Sequence, residues 1–290
     1  MLKKLYKSLL FAIPVIFSAC GDPVQEIEWK TGDAEITLNV EGFISTDLKH
    51  QEVMLKSTQD YFYNQPLPGV SNAQVSVTDG ERVYNYIESA DTAGLYISED
   101  VYQGVTDKSY TLIVDLESPL GGITHFEAET HIYRNFDVQS IFASYIVYPL
   151  FPDEDSTLVL IGVSTNDPYP GDDNFYYYKI YKGDSLVTDT IDKYEIFSDE
   201  LQEDDSLHEY YTTRWYDFEV GDTLTLEVYS ITKRYYRFLE GLFNIMFPAD
   251  PLGFSGAPAR VDGNINDGQG FGYFYGTEIK RVDVVVDDDF

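Results

Sequence analysis

Glu35-Ile36-Thr37-Leu38-Asn39-Val40-Glu41-Gly42-Phe43-Ile44 alternates apolar and polar residues with a period of two, the pattern of a strand buried on one face. Strand-like runs follow at short intervals, over 52–57, 73–78, 83–87, 94–97 and 109–116. The residues between them are turn formers: Asn64-Gln65-Pro66-Leu67-Pro68-Gly69, Asp79-Gly80 and Tyr102-Gln103-Gly104-Val105-Thr106. Short strands with regular turn signals and no helical period between them predict an antiparallel β-sandwich over 34–133.

Downstream, over 134–290, a second all-β pattern places strands at 140–147, 157–164, 174–181, 186–191, 212–219 and 223–230. The Gly221-Asp222 turn that opens the last of these is of the kind found in fibronectin-like sandwiches. The period then changes, and over 233–246 Tyr235, Phe238, Leu239, Leu242 and Ile245 fall on one face of a helix ended by Pro248 and Pro251. Gly241 weakens that helix by about 1 kcal/mol relative to Ala, so it is expected to rest on a sheet. A glycine- and aromatic-rich stretch over 253–276 leads to a final strand at 277–286. The predicted fold class is all-β: two consecutive antiparallel β-sandwiches, transthyretin- or immunoglobulin-like and then fibronectin-like, with one amphipathic helix in the second.

Upstream, residues 1–19 have the layout of a secretory signal peptide: basic Lys3, Lys4 and Lys7, an apolar stretch from Leu9 to Phe17, and small Ser18-Ala19 before Cys20. The apolar stretch is too short to span a bilayer and contains Pro14. Cys20 is the chain's one cysteine, and its setting resembles the bacterial lipoprotein signal, with Phe17 standing where Leu is usual. The expectation is a lipid-modified Cys20 at the mature N-terminus and a polar tether over 20–33. With no second cysteine there is no intramolecular disulfide, and core packing alone must hold the fold. Loss of the three leader lysines takes the net charge from −31 to −34, which argues against nucleic acid as a partner.

Gly69-Val70-Ser71-Asn72-Ala73-Gln74-Val75-Ser76-Val77-Thr78-Asp79-Gly80, then Ala93-Gly94-Leu95-Tyr96 and Gly104 to Leu112, resembles the transthyretin-like or carboxypeptidase-regulatory-like module. Taken with Val40 to Asp47, Asp60-Tyr61-Phe62, the helix after Ser230-Ile231-Thr232, and Gly263-Asn264-Ile265 leading to Gly270-Phe271-Gly272-Tyr273-Phe274, nearly the whole mature chain resembles the domain-of-unknown-function 4249 family of Bacteroidota lipoproteins. The resemblance implies an outer-membrane lipoprotein, facing the periplasm or the medium, that acts beside a TonB-dependent transporter. It brings no catalytic residues.

Candidate chemistry is sparse. Among the four histidines, His50, His125, His131 and His208, the pair His125 and His131 lies six residues apart on one strand face without a third ligand at zinc spacing. Gly253-Phe254-Ser255-Gly256-Ala257 lacks the second glycine of a nucleophile elbow, which leaves Ser255 as a loop residue. Oxygen ligands for calcium cluster at Asp153-Glu154-Asp155, Asp172-Asp173-Asn174 and Asp199 to Asp205. Asp262-Gly263-Asn264-Ile265-Asn266-Asp267-Gly268 misplaces the EF-hand glycine and reads more simply as turn chemistry. Aromatic runs are in surplus: Tyr61-Phe62-Tyr63, Phe175-Tyr176-Tyr177-Tyr178, Tyr210-Tyr211, Trp215-Tyr216 and Tyr273-Phe274-Tyr275. In a strand such a run puts rings on both sides of the sheet, so not all are expected in a core, and exposed rings would suit sugars or a protein partner. Triplets such as Asp91-Thr92-Ala93 and Asp222-Thr223-Leu224 resemble O-glycosylation acceptors. The expected function is therefore non-enzymatic and cofactor-free: a lipid-anchored binding or assembly module accessory to an outer-membrane transporter, or alternatively a surface glycan-binding lipoprotein.

Overall fold

In the computed structural model, which describes residues 36–59, 65–151, 154–200, 208–212, 216, 218–247 and 260–286, the opening alternation is β1 (Leu38–Ser45). Then come β2 (Glu52–Ser57), β3 (Gln74–Thr78), β4 (Val83–Glu88), β5 (Leu95–Ser98), β6 (Lys108–Leu120) and β7 (Ile123–Ile132). The second half supplies β8 (Val138–Phe151), β9 (Glu154–Thr165), β10 (Phe175–Lys182), β11 (Ser185–Leu186), β12 (Glu195–Ser198), β13 (His208–Tyr211) and β14 (Thr223–Ile231). The chain continues through α1 (Lys233–Met246), β15 (Phe271–Thr277) and β16 (Ile279–Val285).

The period of two places the core of the first sheet. Leu38 and Val40, Val53 and Leu55, Val75 and Val77, and Leu112 and Val114 are buried, and they pack with Tyr86, Tyr96, Tyr110, Phe126, Ile132 and Phe274. Each large side chain so buried is worth about 1.5–3 kcal/mol. The strand order is β15-β1-β2-β5-β4-β3-β6-β7, antiparallel except for β15, which runs parallel to β1 with Asn39 opposite Phe271 and Ser45 opposite Thr277. A strand from the end of the chain thus belongs to the first sheet, crossing the expected division between 133 and 134, and residues Glu35–Phe290 group as one compact unit. Without β15, β1 would present a row of unpaired backbone groups.

The sheet curls until its two ends meet. The Gly276 N–H donates to Thr130 Oγ1 (2.7 Å), and a Cβ at Gly276 would stand 2.8 Å from Ile132 Cγ1, so only glycine lets the strands approach. Asn264 donates from Nδ2 to the carbonyls of Glu129 on β7 (2.9 Å) and Phe274 on β15 (2.7 Å), while its Oδ1 accepts from Phe274 N (2.9 Å). Asn266 repeats the device two residues on, accepting from Glu127 N (2.7 Å) and donating to His125 O (2.9 Å). The first region is one sheet wrapped around a single core, which differs from the two-sheet sandwich predicted for it.

In the second region a five-stranded sheet, β11-β10-β14-β16 with β12 also paired to β10, faces a three-stranded sheet, β13-β9-β8. Between them lie Ile161 and Val163 of β9, Tyr176, Tyr178 and Ile180 of β10, and Leu224, Leu226 and Val228 of β14. The opposite face of β10 and β14 is covered as well: Phe175, Tyr177, Tyr229 and Ile231 pack against Tyr235 and Leu239 of α1 and Tyr273 and Tyr275 of β15. The expectation that some rings of the Phe175–Tyr178 run stay outside a core is overturned, because helix and tail strand roof the second face.

The helix occupies the predicted residues. Thr232 caps it, its Oγ1 accepting from Tyr235 N (3.1 Å), and Gly241 is where Val261 comes closest, 2.8 Å from a hypothetical Cβ. Other expectations shift. Of 186–191 only Leu186, the end of β11, is strand, and Ile191–Lys193 forms a 3-10 turn. Of the predicted 212–219 strand, residues 213–215 and 217 lie outside the described residues; β13 ends just before it at Tyr211, Tyr216 and Phe218 stack at 5.3 Å in the core, and the Tyr216 hydroxyl donates to Glu195 (2.8 Å). The predicted final strand is β16, and β15 is an unpredicted strand inside the glycine- and aromatic-rich stretch; Glu278 separates the two, its carboxylate accepting from Asn135 N (2.6 Å).

Candidate functional site

Where β1, β2 and β15 of the first sheet meet α1 and β10 of the second region, a cleft of about 920 Å³ opens. One side is Tyr235, Phe238, Leu239, Leu242 and Ile245, the apolar face that the helical spacing places together. The other is Phe43 of β1, Met54 of β2, and Phe271, Tyr273 and Tyr275 of β15, with Tyr177 and Lys179 of β10 at one end and Arg260 and Val261 at its rim. The odd-numbered residues of β10 and β15 reach it because their even-numbered neighbours point into the cores of the second and first regions respectively.

The walls are held by ring packing. Phe43 stacks on Tyr275 (5.2 Å, 18°) and meets Tyr229 edge-on (6.4 Å, 75°). Tyr235 stacks on Tyr275 (4.1 Å, 12°), and Phe238 leans on Tyr273 (5.1 Å). Such pairs add about 0.5–1.5 kcal/mol beyond burial, so the cleft is a stiff surface and not a loose gap. Burial raises the phenols of Tyr177, Tyr235 and Tyr275, which therefore remain neutral at physiological pH.

Two cations converge on these rings. Lys179 Nζ lies 4.8 Å from the Tyr229 ring centroid and 6.0 Å from that of Phe43, and Lys49 Nζ lies 4.7 Å from Phe43. Among the described residues neither makes an ion pair. Desolvation lowers the Lys179 pKa, Glu227 partly opposes the shift, and the like charge of Lys49 adds to it. Glu227, opposite Lys179 in the β10–β14 register, is committed elsewhere: it accepts from Arg281 Nε (2.6 Å) and the Tyr229 hydroxyl (2.6 Å). Arg281 also forks onto Asp47 (3.0 and 2.7 Å), tying the β1–β2 loop to β16. Of the two acids on the cleft wall, Glu41 is paired with Lys56 at 2.9 Å and Glu52 is exposed. Ser, Thr, Cys and His are absent from the described lining, whose polar side chains are Asn39, Glu41, Glu52, Lys179, Arg260 and the tyrosines.

Of the sequence-predicted residues, Tyr177, Tyr273 and Tyr275 from the aromatic runs line the cleft. Cys20, Ser255, Tyr61-Phe62-Tyr63, Trp215, Asp153 and 201–205 fall outside the described residues, as do the side chains of Glu154, Asp155, His208 and Tyr210. His125 and His131 are on the outer face of β7, the first bracketed by Asp115 (2.7 Å) and Glu127 (3.0 Å), the second bonded to Ser109 (3.0 Å). His50 Nδ1 contacts Ser98 O (2.7 Å). Asp172, Asn174 and Asp199 do come together, around an amide: Asn174 Nδ2 donates to Asp167, to the Asp172 carbonyl and to Asp199 (2.9, 2.9 and 2.8 Å). No group of three or more metal-ligating side chains occurs among the described residues. The Asp262–Gly268 segment is the edge cap described above. Thr92 and Thr223 are exposed. Lys179, Lys49 and Phe43 escaped notice, although a lysine in step with Phe175 and Tyr177 on an otherwise apolar strand face was a visible signal.

Fold and cleft define an all-β module with, among the described residues, one docked α-helix and an aromatic-walled cavity. The chain belongs to the family described as "Domain of unknown function (DUF4249)", whose model matches residues 24–281. A search of the curated proteins found no match. A solved structure described as "Crystal structure of chicken CNTN1 FN1-FN3 domains" is similar at 10% identity and a TM-score of 0.25, covering 67% of this chain. The match spans 60% of that structure's length, and a likeness at this score carries no argument about fold.

Proposed function

We propose that this chain is a lipid-anchored, non-enzymatic binding module of the cell envelope, accessory to a TonB-dependent transporter. The observation that carries the reading is the cleft itself, a cavity walled by stacked rings and a helix, with a lysine at one end. A cavity of a few hundred to about 1,000 Å³, mostly apolar with a few placed polar groups, is the usual form of a ligand site. The leader ending at Cys20 supports the anchor. No helix among the described residues is long and apolar enough to cross a membrane, so attachment by helices of the folded body has no support there. The glycan alternative keeps the half-buried rings of Phe43, Phe238 and Phe271 on the cleft wall, but most of the aromatic surplus is spent in packing.

Mass spectrometry of the mature N-terminal peptide, with crosslinking and affinity recovery from outer-membrane vesicles, tests the reading. Acylated Cys20 and recovery of a TonB-dependent transporter are the expected results. A free thiol at Cys20 with the protein released into the medium overturns it.

A further inference from the structure

Building on that reading of the chain as a binding module, we infer that the cleft takes a small molecule with an apolar body and a single carboxylate, the carboxylate seated on Lys179. Lysines elsewhere in this acidic chain find a carboxylate readily, as Lys56, Lys108, Lys182, Lys193, Lys233 and Lys280 do. Lys179 does not. Its cross-strand neighbour Glu227 is held by Arg281 and Tyr229, and Lys49 sets a second positive charge beside the same Phe43 ring. A desolvated ammonium without a counter-ion is costly unless something arrives to pair with it.

The rings supply part of that compensation through cation–π contact, which is weaker than a charge-assisted hydrogen bond. Desolvation by burial lowers the Lys179 pKa, and the nearby Glu227 carboxylate opposes that only in part. The rest of the cavity dictates the remainder of the ligand. Phe238, Leu239, Leu242 and Tyr273 also line the cavity and offer mainly van der Waals contact, with Asn39, Glu41, Glu52 and Arg260 the other polar side chains besides tyrosines, so an anion lined throughout with hydroxyls would strand part of its own hydrogen bonds there. The volume of about 920 Å³ admits a medium-length acyl chain or an arylalkyl group.

Decanoate tests the assignment, with decyltrimethylammonium as a probe of equal chain length and opposite charge. In calorimetric titration of the full chain carrying Cys20→Ser, which removes any acyl group of its own, decanoate is expected to bind one site at least tenfold more tightly than the cation. Lys179→Met, which keeps the stem and removes the charge, lowers decanoate affinity at least tenfold, while Lys193→Met leaves it unchanged. A variant-free readout accompanies these: decanoate raises the thermal midpoint of the parent chain and the cation does not. Equal affinity for the two probes, undiminished binding by Lys179→Met, or no decanoate binding overturns the assignment. Failure of the titration with Cys20 acylated and the transporter recovered removes the ligand and leaves the envelope reading. A free Cys20 with intact decanoate selectivity does the reverse.

Discussion

Asn264→Ala should open the seam between β7 and β15. The side chain is 3% exposed and makes three hydrogen bonds: Nδ2 to Glu129 O and Phe274 O, and Oδ1 from Phe274 N. Each is worth about 0.5–1.5 kcal/mol net, so their loss costs about 3 kcal/mol, and any of the three backbone groups that water cannot reach adds about 1–3 kcal/mol more. That is a large part of the roughly 5–15 kcal/mol typical of a whole domain. For a unit of this size it corresponds to a fall in thermal midpoint of about 6–12 °C. Asn264→Asp should do no better, since the carboxylate still accepts from Phe274 N but faces two carbonyls with no proton to give. Urea unfolding followed by circular dichroism measures the loss, and amide hydrogen exchange locates it, with the β15 amides exchanging faster than those of β3 and β4. A loss below about 1 kcal/mol would mean that the sheet is closed by something other than this side chain, and the reasoning fails.

Arg281→Met leaves Asp47 and the mostly buried Glu227 without their cation; a loss of about 1–2 kcal/mol by urea unfolding is expected, tempered by the half-exposed guanidinium. Asp79 governs part of the acid limb. Burial alone would raise its carboxyl, but Lys108 (2.7 Å) and the backbone N–H groups of Arg82 and Glu81 outweigh that and hold it at about 2. The unfolded chain takes up this proton near pH 4. The stability Asp79 contributes is therefore complete above that range and drains away as pH falls toward about 2, so Asp79→Asn should flatten the acid limb of a stability–pH profile while costing about 1 kcal/mol at neutral pH. Gly276→Ala pushes a methyl group against Ile132 and the His131 backbone and should cost about 1–3 kcal/mol, read as a lower thermal midpoint. Thr232→Ala removes the cap of α1 and should cost about 1 kcal/mol with little change in m-value.

The local elements were legible because one apolar face was enough to mark them. Leu38 and Val40 marked β1, and Tyr235, Leu239 and Leu242 marked α1 to the residue. Elements buried on both faces were not. In β15 every residue from Tyr273 to Thr277 is buried, so the run has no period to read, and its partner β1 is more than two hundred residues away. Parallel pairing across that separation leaves no turn signal, unlike the Asp79-Gly80 hairpin between β3 and β4. The same cause hid the role of Asn264 and Asn266. Asx-Gly segments bend chains everywhere, and only the curl of the sheet shows these two amides facing the free edge of β7.

The cleft was illegible for a related reason, and that reason bears on what the cleft is for. Its walls come from separate stretches of chain spread from Asn39 to Tyr275, most contributing residues that a local reading assigns to an ordinary core. β15 joins them: Phe274 points into the first core, while Tyr273 and Tyr275 point the other way onto α1. A strand that serves two cores fixes the distance between them, so the cavity left beside it is set by the packing of both and cannot close without disturbing one side. Apolar space held open in this way, against the gain of about 25 cal/mol for each Å² that collapse would bury, is expensive for a fold that needs it only as structure. With a charged lysine kept at its end as well, the arrangement is better explained by an occupant than by imperfect packing.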